Sequence, residues 1–229
     1  MITANVFRRT FFIKYENSTG TAFTIDHDGK QYLVTALHVC PNIADGNTIS
    51  VCRHGQWLDW PVKVVGAGTP GNLEDDVIVL ALDSQVSPSF PMSATSADLV
   101  WGQDVYFLGF PYGLHTEQNV NDGYPLPLIK KALMSGSVGQ QMETFLLDGH
   151  NNPGFSGGPA VFRPIGSPNG EFRVFGIVSA FKSENIPITF QGKQTGLSSP
   201  ANTGIVVCPA IKRAVGFIEA NPIGPDLTY

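Results

Sequence analysis

Asn152-Pro153-Gly154-Phe155-Ser156-Gly157-Gly158-Pro159 sets a serine on a turn walled by glycine, a position that few structural demands would create. Lacking a Cβ, the glycines let the backbone take conformations closed to other residues, so that N–H groups can converge on one point beside the Ser156 hydroxyl. Donors arranged in this way stabilise charge developing on a carbonyl oxygen, each by about 3 kcal/mol of barrier. A Gly-rich hairpin turn carrying an incidental serine has the same composition. Reading Ser156 as a nucleophile therefore depends on finding its partners elsewhere in the chain.

A serine nucleophile needs a base. Of the histidines at 27, 38, 54, 115 and 150, His38 has informative surroundings: it closes Tyr32-Leu33-Val34-Thr35-Ala36-Leu37-His38, an apolar run of strand length, which puts its imidazole at the rim of a core. A third group should orient the ring. Glu74-Asp75-Asp76 leads into Val77-Ile78-Val79-Leu80-Ala81-Leu82, and a carboxylate entering a buried strand is unfavourable unless it is paired. Asp76 adjoins that strand, whereas Asp75 reads as a solvated neighbour. A core histidine or a strand-leading aspartate is unremarkable alone; with Ser156 they form a set.

The order of these residues along the chain separates the hydrolase architectures. Gly154-Phe155-Ser156-Gly157-Gly158 also satisfies G-x-S-x-G, but in that fold the histidine follows the serine, and no histidine follows residue 150. The Asp, His, Ser order would require Asp26 or Asp28 to act from a hairpin turn. What is left is His38, Asp76, Ser156, the order of the chymotrypsin type.

Thr35-Ala36-Leu37-His38, Asp76-Val77-Ile78-Val79-Leu80 and Gly154-Phe155-Ser156-Gly157-Gly158-Pro159 resemble the three signature segments of trypsin-like serine proteases. Gly109-Phe110-Pro111-Tyr112-Gly113-Leu114, Ser135-Gly136-Ser137-Val138 and Asn152-Pro153-Gly154 are similar to connecting segments of the HtrA-like bacterial branch, and Gly176-Ile177-Val178-Ser179-Ala180 resembles the strand lining its substrate cleft. The resemblance implies an all-β fold of two six-stranded antiparallel barrels with a C-terminal α-helix. It also implies a serine endopeptidase acting through a covalent acyl-enzyme on a protein or peptide substrate, with the N–H groups of Gly154 and Ser156 as the oxyanion hole and no cofactor. Only residues 221–229 follow the helix, where HtrA-like proteins usually carry a PDZ domain, so a member of the branch without that module is expected.

Composition agrees with this reading. In 229 residues, Gly 25 and Pro 17 with only 14% charged side chains suit a turn-rich β protein. A net charge of −5 with no basic cluster argues against nucleic acid or an anionic membrane as partner. The amino-terminal residues lack the apolar core of a secretory leader, and no run reaches membrane-spanning length. Cys40, Cys52 and Cys208 are odd in number and lack metal spacing, as expected of free thiols in a reducing compartment, although a Cys40–Cys52 bridge stays open. The expectation is a cytoplasmic protein without a bound metal.

Strand patterns fall at 11–14, 21–26, 31–37, 48–53, 61–66 and 77–82, with Asp28-Gly29 as a tight hairpin turn. A polar, Pro-containing stretch at 83–91 reads as a linker, giving an N-terminal barrel over 1–95 that carries His38 and Asp76. Further strands at 104–108, 130–138, 144–147, 159–162, 172–180 and 204–207, with an Asn169-Gly170 hairpin, give a second barrel over 96–229 that carries Ser156. Ile211, Ala214, Val215 and Ile218 then recur at helical spacing, predicting a helix over 209–220 started by Pro209.

By position in the family layout, His150, Ser179, Ala180, Phe181 and Gly204 should form the first side-chain pocket. No acidic residue lies at its base and Phe181 narrows it, so small or medium apolar side chains are expected, with an acidic one bound by His150 as the alternative. Digestive trypsins carry, where Phe155 stands, an aspartate that pairs with a freshly cut amino terminus; Phe155 cannot, so the site should be preformed or ordered by a partner. Residues 115–128 and 183–202 read as long polar loops that gate the cleft or receive an activating protein partner. Two competing readings are a pseudoprotease that binds through the same cleft without turnover, and an esterase or self-cleaving enzyme on the same fold.

Overall fold

A computed structural model describes residues 2–89, 91–116, 121–141, 143–166 and 171–228. The first apolar stretch becomes β1 (Thr10–Tyr15), followed by β2 (Ser18–His27), β3 (Lys30–Thr35), β4 (Thr48–Arg53), β5 (Gln56–Ala67) and β6 (Ile78–Leu82). These six close into an antiparallel barrel in the order β1-β2-β3-β6-β5-β4, and its interior is filled by Phe11, Ile13, Leu33, Ile49, Val51 and Leu80. Asp28 and Gly29, at φ 46° and 75°, make the two-residue turn between β2 and β3 whose twist matches the flanking strands.

The second unit departs from expectation. It comprises β7 (Asp104–Gly109), β8 (Leu128–Val138), β9 (Thr144–Asp148), β10 (Pro159–Phe162), β11 (Arg173–Ile177), β12 (Ala180–Phe190) and β13 (Lys193–Pro209). They form a seven-stranded sheet in the order β11-β10-β7-β8-β9-β13-β12, not a closed six-stranded barrel. β11 meets the far side through an isolated bridge from Gly176 to Ala210 and the bond from Ile211 N–H to the Phe175 carbonyl. The extra strand is the stretch expected as a loop: residues 183–202 fold into the arms of a β12–β13 ribbon, reversed at Gln191-Gly192 with φ 51° and 76°. Because residues 182–200 of this ribbon are exposed, neither face needed the apolar alternation that marks a half-buried strand.

Three smaller corrections concern boundaries. β3 ends at Thr35, and His38 lies in a 3₁₀ turn over Leu37–Val39. Pro209 ends β13, opposite Thr144 on β9, so the carboxy-terminal helix α2 spans Lys212–Ala220, while a short α1 (Ala4–Phe7) was not expected. The Asn169-Gly170 hairpin falls outside the described residues. All three cysteines are buried and none forms a disulfide, so Cys40 and Cys52 are not bridged.

Between the two units lies a shared core. Phe23, Ile25, Val34 and Val77 from the barrel pack with Leu108, Val161, Val174 and Ile177 from the sheet and with Ile211, Ala214 and Ile218 around α2. Apolar burial across this seam is the main force holding the two halves in register. No helix among the described residues is long and apolar enough to cross a membrane.

Candidate active site

The Ser156 turn is stitched to the barrel as well as to its own sheet. Thr21 N–H on β2 donates to the Ser156 carbonyl (2.9 Å), and Gly157 N–H donates to Val178 O (2.7 Å). Gly157 has φ 84°, and a Cβ there would run into Thr21 O, Thr35 Oγ1 and the Ala36 nitrogen. Only glycine fits, which brings the turn against the chain two residues before His38.

His38 sits between buried Leu37 and Val39, with 48% of its own side chain exposed. Its backbone N–H donates to Asp76 Oδ1 (2.9 Å), and its Nδ1 faces Asp76 Oδ2 at 2.5 Å. An ionised carboxylate can only accept, so the ring carries a proton on Nδ1 and presents Nε2 on the side away from Asp76. Asp76 is 5% exposed and takes a third bond at Oδ2, from the Ser179 hydroxyl (2.6 Å). Burial pushes the Asp76 carboxyl up, but the bonds from His38 and Ser179 and the attraction of His38 outweigh it and hold the group below the usual carboxylate range.

The Ser156 hydroxyl donates to the Ser179 carbonyl (3.1 Å), not to the imidazole. Ser179, expected in the pocket wall, is 2% exposed and touches both Asp76 and Ser156. Its linking position could not be read from sequence, because it depends on a contact between residues 103 apart. Asp75 is likewise not a solvated neighbour: it pairs with Arg213 Nε (2.6 Å) and accepts from Thr69.

Backbone donors around the serine divide into two sets. Phe155 N–H donates to Asn152 O (3.2 Å), Gly157 N–H to Val178 O and Gly158 N–H to Phe155 O (2.9 Å). Those of Gly154 and Ser156 have no acceptor among the described residues. The Pro153 carbonyl is held by Tyr112 N–H (3.0 Å), and in a planar trans peptide this turns Gly154 N–H the opposite way. The Gly154 carbonyl is fixed in turn by Thr21 Oγ1 (2.8 Å). Phe155 is fully buried, with its ring edge-on to Phe107 at 5.0 Å and Lys130 Nζ 5.4 Å from its centroid.

A groove of about 480 Å³ opens beside this turn, lined by His150, Asn151, Asn152, Pro153 and Phe181 among others, with no charged side chain in its lining. Of the expected pocket residues, His150 and Phe181 face it; Ala180 pairs with Val207, and Gly204, at φ 79°, accepts from Gly149 N–H. Asn202 braces the groove, donating from Nδ2 to Asn151 O (2.7 Å) and accepting Gly204 N–H (2.9 Å). Among the described residues no group of three or more His, Cys, Asp and Glu is placed to hold a metal ion.

Comparison with known proteins agrees with this geometry. Residues 20–164 match the sequence profile of the trypsin-like peptidase domain. A curated relative, Protease Do-like 1, chloroplastic, of Arabidopsis thaliana, is 27% identical over 173 residues, or 69% of this chain and 36% of the plant protein. The chain thus spans about a third of that relative's length. The inactive form of a protease from M. tuberculosis H37Rv superposes with a TM-score of 0.57 at 17% identity, covering 95% of this chain and 91% of that one. An HtrA-type protease solved with a tripeptide gives 0.57 at 20% identity (95% and 61% covered), and a serine endoprotease from Yersinia pestis gives 0.57 at 19% (94% and 63%). At these identities the structural likeness speaks to the fold.

Proposed function

This chain belongs to the trypsin-like peptidase domain family, and from that premise we propose that it is a serine endopeptidase acting through His38, Asp76 and Ser156. The observation that carries the reading is the buried Asp76 carboxylate, which accepts from the backbone and ring of His38 and from Ser179, whose own carbonyl accepts from Ser156. Rotation of the Ser156 side chain away from Ser179 lets its hydroxyl give a proton to His38 Nε2 as the oxygen attacks a peptide carbonyl. The unspent N–H groups of Gly154 and Ser156 receive the oxyanion. Asp76 stabilises the imidazolium, which returns the proton to the leaving amine. Water, activated by the same ring, then hydrolyses the acyl-enzyme.

A fluorophosphonate probe tests this reading directly. Wild-type protein should be labelled on Ser156 and Ser156→Ala should not. A folded wild-type protein that stays unlabelled would favour the second reading, a pseudoprotease, for which the Ser156 bond to Ser179 in place of His38 is the supporting observation.

The proposal has finer parts. Pairing among the thirteen strands stays within residues 10–82 and 104–209 and supports division into halves 1–95 and 96–229, with the open sheet as a counterpart of a second barrel, while isolated bridges from Ala94 to Val174 and from Lys30 to Asp226 tie the halves together. Three buried cysteines without a disulfide support work in a reducing compartment such as the cytoplasm. The substrate is a dedicated protein cut at few places, and an activating protein acts on the exposed ribbon rooted at Ser179. Excising the ribbon tip should then change cleavage of proteins more than of short peptides; equal effects on both would remove the activator from the proposal.

A further inference from the structure

The groove beside Ser156 has one wall at Pro153, three residues before the serine, and another at Phe181, two residues after Ser179. A side chain on the acyl side of the cleaved bond would enter there. Resting on the peptidase reading above, we infer that this groove selects a neutral carboxamide side chain, glutamine or asparagine, and that Asn151 is the residue that determines it.

Of the polar groups in the wall, Asn152 and Asn202 are already spent, and the His150 ring and Ser183 hydroxyl belong to exposed residues that water can reach. Asn152 accepts from Lys130 Nζ at Oδ1 (2.6 Å) and contacts the Tyr112 hydroxyl through Nδ2 (3.4 Å). Asn202 is held at both ends of its amide by Asn151 O and Gly204 N–H. Asn151 differs: the residue is 2% exposed, its side-chain Oδ1 is buried with no partner, and its Nδ2 makes no hydrogen bond among the described residues. Leaving such a group unpaired is unfavourable, a penalty that a bound ligand can remove.

The missing partner must donate, because Oδ1 only accepts. A Lys or Arg side chain donates but would enter a groove without a carboxylate in its lining, near the Lys130 ammonium that bridges His150 O (2.5 Å) and Asn152 Oδ1. A carboxylate can meet the His150 ring but offers acceptors only, so it leaves Asn151 Oδ1 unpaired. An apolar side chain satisfies neither atom of the Asn151 amide, and a hydroxyl satisfies one. Once the Asn151 side chain turns its buried amide toward the groove, a carboxamide can donate to Oδ1 and accept from Nδ2 in one plane, and the match holds for either orientation of the amide. This replaces the apolar preference expected from sequence with a polar one.

Peptides identical except at the residue on the acyl side of the cleaved bond provide the test, with the full chain as enzyme. Gln or Asn should give the highest kcat/KM, exceeding Leu by about tenfold or more, as expected where a buried polar group is left unpaired by the wrong substrate. Asn151→Leu should abolish that ratio. If the wild-type protein cleaves but favours Leu, Glu or Arg, the inference is overturned while the peptidase reading stands. Absence of both cleavage and fluorophosphonate labelling would sink the two together. Should Asn151→Leu fail to fold, the wild-type series decides alone.

Discussion

The Ser179 hydroxyl donates at 2.6 Å to Asp76 Oδ2, the same oxygen that faces His38 Nδ1. With the Ser179 carbonyl engaged by Ser156, a single residue on the margin of β12 contacts both Asp76 and Ser156. Ser179→Ala removes a hydrogen bond to a charged group, worth about 1.5–3 kcal/mol. Chemical denaturation should show a loss of that order. In the assay kcat should fall with KM nearly unchanged, since the carboxylate orients His38 and does not bind substrate.

Asp76 supplies a pH signature. Its carboxyl is held below its ordinary value in the folded chain, so its stabilising contribution is complete above the unfolded value near ~4 and is lost as pH falls through the folded one. The stability gap between wild type and Asp76→Asn should therefore be constant above about pH 5 and shrink below about pH 4. At neutral pH the same substitution should lower kcat on the order of 10³–10⁴-fold, because an amide cannot hold the imidazole proton on Nδ1 as a carboxylate does. A gap that widens on acidification would contradict the pairing.

Gly154 is at φ 102°, and an added Cβ would collide with the Phe110 carbonyl and Pro111 Cα. Gly154→Ala should displace the N–H proposed for the oxyanion hole, lowering kcat by about 100-fold or more. Circular dichroism should be unchanged, since the strain is confined to one turn.

Phe155 ties the serine turn into the core of the sheet, against Phe107, Val105 and Phe175. Phe155→Ala should reduce stability by about 3–5 kcal/mol, measured by thermal or denaturant unfolding. The amino-terminal residues Ile2 and Val6 are buried in the core between the two units. Trimming residues 2–7 should thus lower the melting temperature without raising activity. A rise in activity would mean that the turn is ordered by a new amino terminus after all.

Much of this protein was determined by local sequence. The apolar runs 32–34 and 78–82 became buried strands, and Asp28-Gly29 and Gly157 meet backbone demands that other residues resist. Local surroundings and chain order pointed to His38, Asp76 and Ser156 as a set; in the fold Asp76 bonds His38 while the Ser156 hydroxyl bonds Ser179. Tertiary structure decided what depends on distant contacts and on solvent. The ribbon arms over 182–200 carry no buried face to mark them as strand, Asp75 found Arg213 across 138 residues, and Ser179 turned inward to Asp76. Hydrophobic periodicity reports which residues leave water, but a hydrogen bond between remote side chains leaves no period in the sequence, because only the folded seam brings donor and acceptor within reach.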